Sequence, residues 1–312
     1  MTTLLTFRDS VKSFLSRYDF IVTPIGKGIF ALVVLLMLNS QMGYFTALDN
    51  IVLVLGIAVV CAFLPVEVLA GIGYVILVLH SVKVSIDMGL LALALVLLFY
   101  FGYMRFAPKT GVIALLVPIC YSWNIIYALP IVLGFFVGPA AIIPAIFGIV
   151  LHYYQVGLQD VSNMLATTTE EDQAVQGYQY IIDMLVDNKY MLLTFVVFVC
   201  VILITYIIYR LSFNNSWIIA FVVGGILNIV LFLVGSVTLL VDVELSSVLL
   251  GSTVGVVIAA FMHFCKGIVD YQRTEILQFE DDDYYYYVKA IPKLSVSEMN
   301  KNVKHINSKT HN

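Results

Sequence analysis

Apolar residues in this chain come in long uninterrupted blocks rather than in alternation. The run GIFALVVLLMLNSQMGYFTAL, residues 28–48, holds no charged residue, and no Lys or Arg occurs between Lys27 and Lys83. Comparable blocks fall near 28–45, 48–64, 66–82, 87–104, 190–209, 217–241 and 246–265. Segments near ~18 residues cross a hydrocarbon core of ~30 Å at ~1.5 Å per residue. The pattern predicts an all-α polytopic membrane protein.

The stretch LLVPICYSWNIIYALPIVLGFFVGPAAIIPAIFGIVLHYY breaks the rhythm. Within 111–151 stand Pro118, Pro130, Pro139 and Pro144, with Gly134, Gly138 and Gly148. Three spans would need roughly 60 residues, more than the stretch offers. One span plus a re-entrant or broken-helix element fits better. The alternative is two short kinked helices, with a span miscounted elsewhere. Irregular backbone at membrane depth must be enclosed by protein or line a cavity, because lipid cannot bond freed N–H and C=O groups.

Charge then sets an expected orientation, since Lys and Arg near spans mark the cytoplasmic side. If 111–151 changes sides an odd number of times, fourteen of the sixteen basic residues face the cytoplasm, leaving Lys83 and Lys189 outside. The expectation is about eight spans with both termini cytoplasmic. A first membrane core covers 28–151, an external loop 152–189, and a second membrane core 190–265. Nothing at the start of the chain resembles a short apolar core with a cleavage site, so no cleavable signal peptide is expected.

Two amphipathic segments flank these spans. In the N-terminal segment 1–27, Leu4, Phe7, Val11, Phe14, Leu15 and Tyr18 recur at helical spacing, with Arg8 and Lys12 off that face. That suits a helix lying in the interface. Thr167 and Thr168 precede Glu170 and Glu171 by three, a capping-box signal. Val175, Tyr178, Ile182 and Leu185 then share one face of a helix expected near 170–187.

The segment 266–294 changes character. TEILQFE and DYYYYVKAI are rich in β-branched and aromatic residues and are separated by acids, which predicts a small cytoplasmic β-hairpin turning at Asp281–Asp282. Alternation puts Tyr284, Tyr286 and Val288 on one face and Tyr285, Tyr287 and Lys289 on the other, with Ile276 and Phe279 packing across. An isolated hairpin is marginal in water. It should dock on the cytoplasmic loops, on another copy of the chain or on a partner protein. The candidate docking residues are Phe279, Asp281, Asp282, Tyr284, Tyr285, Tyr286 and Tyr287. Residues 295–312 read as disordered.

Composition agrees with the membrane reading: 61% hydrophobic and 12% charged, against about a quarter charged in soluble domains. Cys61, Cys120, Cys200 and Cys265 lie in or beside apolar blocks with no close pair, and read as small buried hydrophobes. No GxxxxGK[ST], HExxH or GxSxG is present, so an enzyme is the least supported class. No cofactor is called for, and nothing points to nucleic acid. Glu67, Asp242 and Glu244 fall in turns between spans, and His80 and His152 at span ends. Deep carboxylates of the kind that couple ions are scarce.

The best candidate for a functional element is therefore Tyr121 to Pro144. Ser122, Asn124 and Tyr127 are its polar side chains, and Gly134, Gly138 and Pro139 would shape the break. Carriers and channels use such broken helices to present backbone dipoles to a substrate. The plainer reading is that Pro and Gly are tolerated in membrane helices and let them pack closely. Gly224, Gly225 and Asn228 read first as a helix-contact surface.

YQRTEILQFEDDDYYYYVKAIPK following a final membrane helix resembles the end of an uncharacterised family of polytopic membrane proteins from anaerobic Firmicutes. RFAPKTGVIALLVPICYSWNIIYALPIVLGFFVGPAAIIP resembles that family's Pro/Gly-rich centre. The likeness covers roughly residues 60–293. Proteins of this family are often labelled ABC-transporter permeases. The resemblance implies a bacterial plasma membrane and an ATPase subunit as partner, and supplies no catalytic residues. Two functions follow: a permease-like transport subunit using 121–144 as part of a pathway, or a membrane scaffold recruiting cytoplasmic partners through the hairpin.

Overall fold

The structure is a computed structural model and describes residues 2–167, 173–211, 215–266, 275–280 and 285–290. Its helices are α1 (Thr2–Arg17), α2 (Asp19–Met42), α3 (Ile51–Phe63), α4 (Val66–Val84), α5 (Ile86–Phe99), α6 (Val112–Ser122) and α7 (Leu129–Phe136). They continue with α8 (Ile142–Thr167), α9 (Gln173–Asp187), α10 (Lys189–Arg210), α11 (Ser216–Leu239) and α12 (Leu245–Lys266). Two strands, β1 (Glu275–Glu280) and β2 (Tyr285–Ala290), pair antiparallel with Phe279 opposite Tyr286. The residues joining them, including the expected turn Asp281–Asp282, lie outside the described residues, as do the capping box at 168–171 and the segment 295–312.

Among the described residues seven helices are long and apolar enough to cross a bilayer: α2, α4, α5 with a π-helical extension to Met104, α8, α10, α11 and α12. The chain is thus built as an all-α polytopic membrane protein. The eighth expected span, 48–64, is α3, a helix of 13 residues. At ~1.5 Å per residue it covers ~20 Å, short of the ~30 Å core. Local chemistry sets its ends. The Asn50 side chain accepts from the Val52 amide at the start, and Pro65 follows at the N-cap of α4. Residues 111–151 hold two short helices, α6 and α7, followed by the start of one helix long enough to span, α8. A groove of about 790 Å3, lined by Leu53, Val60, Val68 and Val75 among others, runs between α3 and α4.

α8 runs to Thr167, so 152–167 continues this helix, where the sequence suggested the start of an external loop. It is the most enclosed of the seven long helices. Residues of α6 and α8 belong to both apolar clusters of the core, one built with α2–α5 and α9, the other with α7 and α10–α12. Pro118 inside α6 cannot donate to the Ala114 carbonyl. Gly148 of α8 closes over that carbonyl, where a Cβ would come within 2.7 Å of the oxygen.

The chain divides into two units, Met1–Asp19 with His263–Asn312, and Phe20–Met262. In the first, Arg8 is buried with its guanidinium 5.8 Å from the Phe264 ring centroid. Val11, Phe14, Leu15 and Tyr18 form an exposed apolar face, with the Phe14 and Tyr18 rings 4.8 Å apart. Cys265 is exposed rather than buried, because it sits on the last turn of α12.

In the second unit, contacts between helix ends fix the order of crossings. At one end, Lys27 donates to the Leu64 carbonyl at 3.3 Å, and Tyr103 donates to the Ala140 carbonyl. At the other, His80 accepts from the Phe45 amide at 3.1 Å, and Tyr154 donates to the Met88 carbonyl at 2.8 Å. Gln41 donates to Ser122 there, and Gln159 to the Gln41 carbonyl. The stretch 111–151 therefore enters at the first end, rises in α6, returns in α7 and rises again in α8. The ends differ in charge. Lys27, Arg105, Lys109 and Arg210 cluster toward the first. The second has Lys83 and Lys189 together with Asp49, Asp87, Asp160 and Glu244.

α7 packs along α10 with Gly134 at the contact, where a Cβ would sit 2.9 Å from the Ile202 carbonyl oxygen and 3.0 Å from its Cα. Backbone cannot give way there. Gly134→Ala should cost about 1–3 kcal/mol, whereas Gly56→Ala, with nothing within 4 Å, should be near neutral. Thermal unfolding of the two variants in detergent checks this; equal shifts would contradict the α7–α10 contact.

Candidate functional site

The α6–α7 hairpin turns where the sequence provides a left-handed residue. Asn124 has φ 55° and ends α6, with Ile125 N–H donating back to the Cys120 carbonyl at 2.9 Å. Asn tolerates this conformation better than other non-Gly residues. A 3-10 turn, Ile126–Ala128, then leads into α7, whose first turn holds Pro130.

Polar side chains gather around this turn. Tyr121 stacks on His152 of α8 with centroids 3.8 Å apart and planes within 3°. Its hydroxyl points toward Tyr153 and Thr194 without a hydrogen bond of good geometry. Tyr127 and Tyr190 share a hydrogen bond of 2.7 Å. Asn228 of α11 donates to the Tyr127 carbonyl at 2.9 Å and to the Ser252 hydroxyl of α12 at 2.8 Å. The close fit on α12 is made by Gly251 and Gly255, where a Cβ would come within 2.9 Å of Tyr127 Cβ and 2.7 Å of Ala128 Cα. These helices hold the break in place and satisfy one of the carbonyls it frees.

One side of the gathering is less well satisfied. His152, Gln155 and Gln159 recur at i, i+3 and i+7, so they share one face of α8. Gln159 bonds to Gln41 and Gln41 to Ser122. Gln155, between them, is 2% exposed, and neither its amide nitrogen nor its oxygen has a partner. His152 Nδ1 is also unpartnered. A buried amide left without hydrogen bonds costs several kcal/mol against solvation.

Glu244, exposed in the turn before α12, lies within electrostatic reach of Tyr127. Hydroxyls of Ser247 and Ser246, each donating at 2.8 Å, hold its carboxyl below the usual range. Glu67 is half-buried and Asp242 exposed.

The residues singled out from sequence are only partly brought together. Tyr127 lies in the polar gathering, 7% exposed. Ser122 and Asn124 are exposed at the second end of the bundle, beside it. Gly134 and Gly138 face α10 instead, Gly138 with φ +75° against the Tyr206 ring, and Pro139 is exposed. These three make the break and its packing. Gly224 and Gly225 meet Thr205 and Val256 as a helix-contact surface. Of the tail candidates, Tyr285 and Tyr286 are exposed, while Asp281, Asp282 and Tyr284 lie outside the described residues.

Sequence reasoning named Tyr121 only as the start of the candidate element, missed Tyr153, Tyr190, Thr194, Gln155 and Gln159, and set His152 at a span end when it lies well inside α8. The i, i+3, i+7 recurrence of His and Gln in an apolar helix was the available signal. The contacts from α10 had none.

Comparison with protein-family models, curated proteins and solved structures finds no match for this chain. A functional reading therefore rests on the site rather than on kinship.

Asn228→Ala removes the donor to the Tyr127 carbonyl, and should destabilise the protein by about 0.5–2 kcal/mol. Ser252→Ala leaves that bond intact and should cost less. Tm values in detergent distinguish them.

Proposed function

We propose that the chain is a permease-like transport subunit of the bacterial plasma membrane, with both termini cytoplasmic. The observation that carries this is Gln155: a buried, unpartnered amide on α8, beside a broken hairpin whose turn is held in place by Tyr127, Tyr190 and Asn228. A helix contact kept only for packing has no use for such a group, whereas a solute or water pathway does. The hairpin turn at Ser122–Asn124 is its exposed mouth. The excess of bases at the opposite end of the bundle supports placing that end in the cytoplasm. An ATPase partner is what the family resemblance implies, and the C-terminal strands are where it would dock.

A thiol at Gln155, in a chain whose four cysteines are replaced by Ala, should react with a water-soluble, membrane-impermeant methanethiosulfonate in sealed vesicles. If it stays unmodified while Ser40→Cys, exposed at the same end, reacts, the interior is dry and the hairpin is architecture.

The scaffold reading is favoured by one observation, the exposure of Tyr285, Tyr286 and Val288 on β2. Affinity purification of the solubilised full chain, beside a version lacking 274–293, separates the two. A tail-dependent ATPase supports the permease; a tail-dependent set of other proteins supports the scaffold.

A further inference from the structure

We infer that the solute taken by this site is small, uncharged and recognised by hydrogen bonds, an inference that rests on the transport reading above. The groups available to it are of one chemical kind. Gln155 offers an unpartnered donor and an unpartnered acceptor, His152 an unpartnered Nδ1, and Tyr121 a hydroxyl directed toward Tyr153 and Thr194. Thr194 lies toward Tyr121, itself 1% exposed. None of these side chains is a carboxylate, an ammonium or a guanidinium.

The nearby charges are engaged elsewhere. Asp160 accepts from Tyr180 of α9 at 3.1 Å, on the far side of Gln159 from His152 along α8. Glu244 is exposed and taken by Ser246 and Ser247. An ion entering among Gln155, His152 and Tyr121 would shed its hydration without meeting a counter-charge, which costs several kcal/mol or more. A neutral molecule with at least one donor and one acceptor, such as an amide or a polyol, would satisfy the amide of Gln155 at both atoms. A site whose polar groups are left bare by the wrong ligand discriminates strongly against it.

Charge selectivity can be read without knowing the natural solute. In the cysteine-free chain in sealed vesicles, Gln155→Cys and, separately, Thr194→Cys are treated with three methanethiosulfonates of similar size. One carries a hydroxyethyl group, one a sulfonatoethyl group and one a trimethylammonioethyl group. Rates are normalised to those at Ser40→Cys. The neutral reagent should react ~tenfold or more faster than either charged one at both buried positions. Adding Gln155→Leu to Thr194→Cys should slow the neutral reagent. A charged reagent reacting as fast as the neutral one overturns the inference while leaving a wet pathway. No reaction with any reagent at either position, with Ser40→Cys reacting normally, overturns the transport reading and the inference with it.

Discussion

A carbonyl freed inside a bilayer must find a donor within the protein, and the rest of this fold is arranged around that requirement. The turn after Tyr121 breaks the helical ladder near the second end of the bundle, and Asn228 reaches from α11 to bond the Tyr127 carbonyl. That bond needs α11 close, which needs small residues, and Gly251 and Gly255 let α12 lie against the same turn. At the other end of α7, Gly134 and Gly138 bring α10 into contact. On the opposite wall the Ala114 carbonyl, orphaned by Pro118, is covered by Gly148. The scattered glycines and prolines are thus one system. At Pro118 and at the turn after Tyr121 backbone is exposed; at the first a facing glycine lets a neighbouring helix cover it, and at the second an amide side chain supplies the donor.

The same requirement explains why the hairpin is short. α6 and α7, of 11 and 8 residues, are never lipid-facing spans with a free perimeter. They are inserts whose sides are taken by α8, α10, α11 and α12. Among the seven long helices enclosure is greatest for α8, and there the polar stripe of His152, Gln155 and Gln159 becomes tolerable.

Much of this architecture was legible in the chain. Six of the long helices follow directly from block length, and the Pro/Gly density of 111–151 announced a break. The capping Asn50 and the Pro65 that confine α3 were also visible, but block hydropathy outweighed them: residues 48–64 are apolar enough to form a full-length span, and only the helix boundaries show that the helix connecting the two ends is 13 residues long. The site was less legible. Tyr127 was found because it sits in the break itself. Tyr190 and Thr194 were not, since their meeting with the hairpin depends on α10 running alongside α7, a tertiary relation that no local pattern encodes. Gly134 and Gly138 were read as pathway residues because a break and a pathway share the same composition. In the fold they lie against Ile202 and Tyr206 of α10.

α3 carries a consequence for the membrane around it. Val52, Val59 and Phe63 are exposed on a helix too short for the hydrocarbon layer, and the groove it makes with α4 is open and apolar. Acyl chains on that flank must shorten, tilt or fill the groove to avoid leaving apolar surface facing headgroups. On the α10–α11 flank, helices of 22 and 24 residues match the layer at its ordinary thickness. The lipid annulus is therefore uneven: mismatch of this kind has a free-energy cost for each ångström, and it ties the protein's comfort in a bilayer to how easily the surrounding lipid thins on one side.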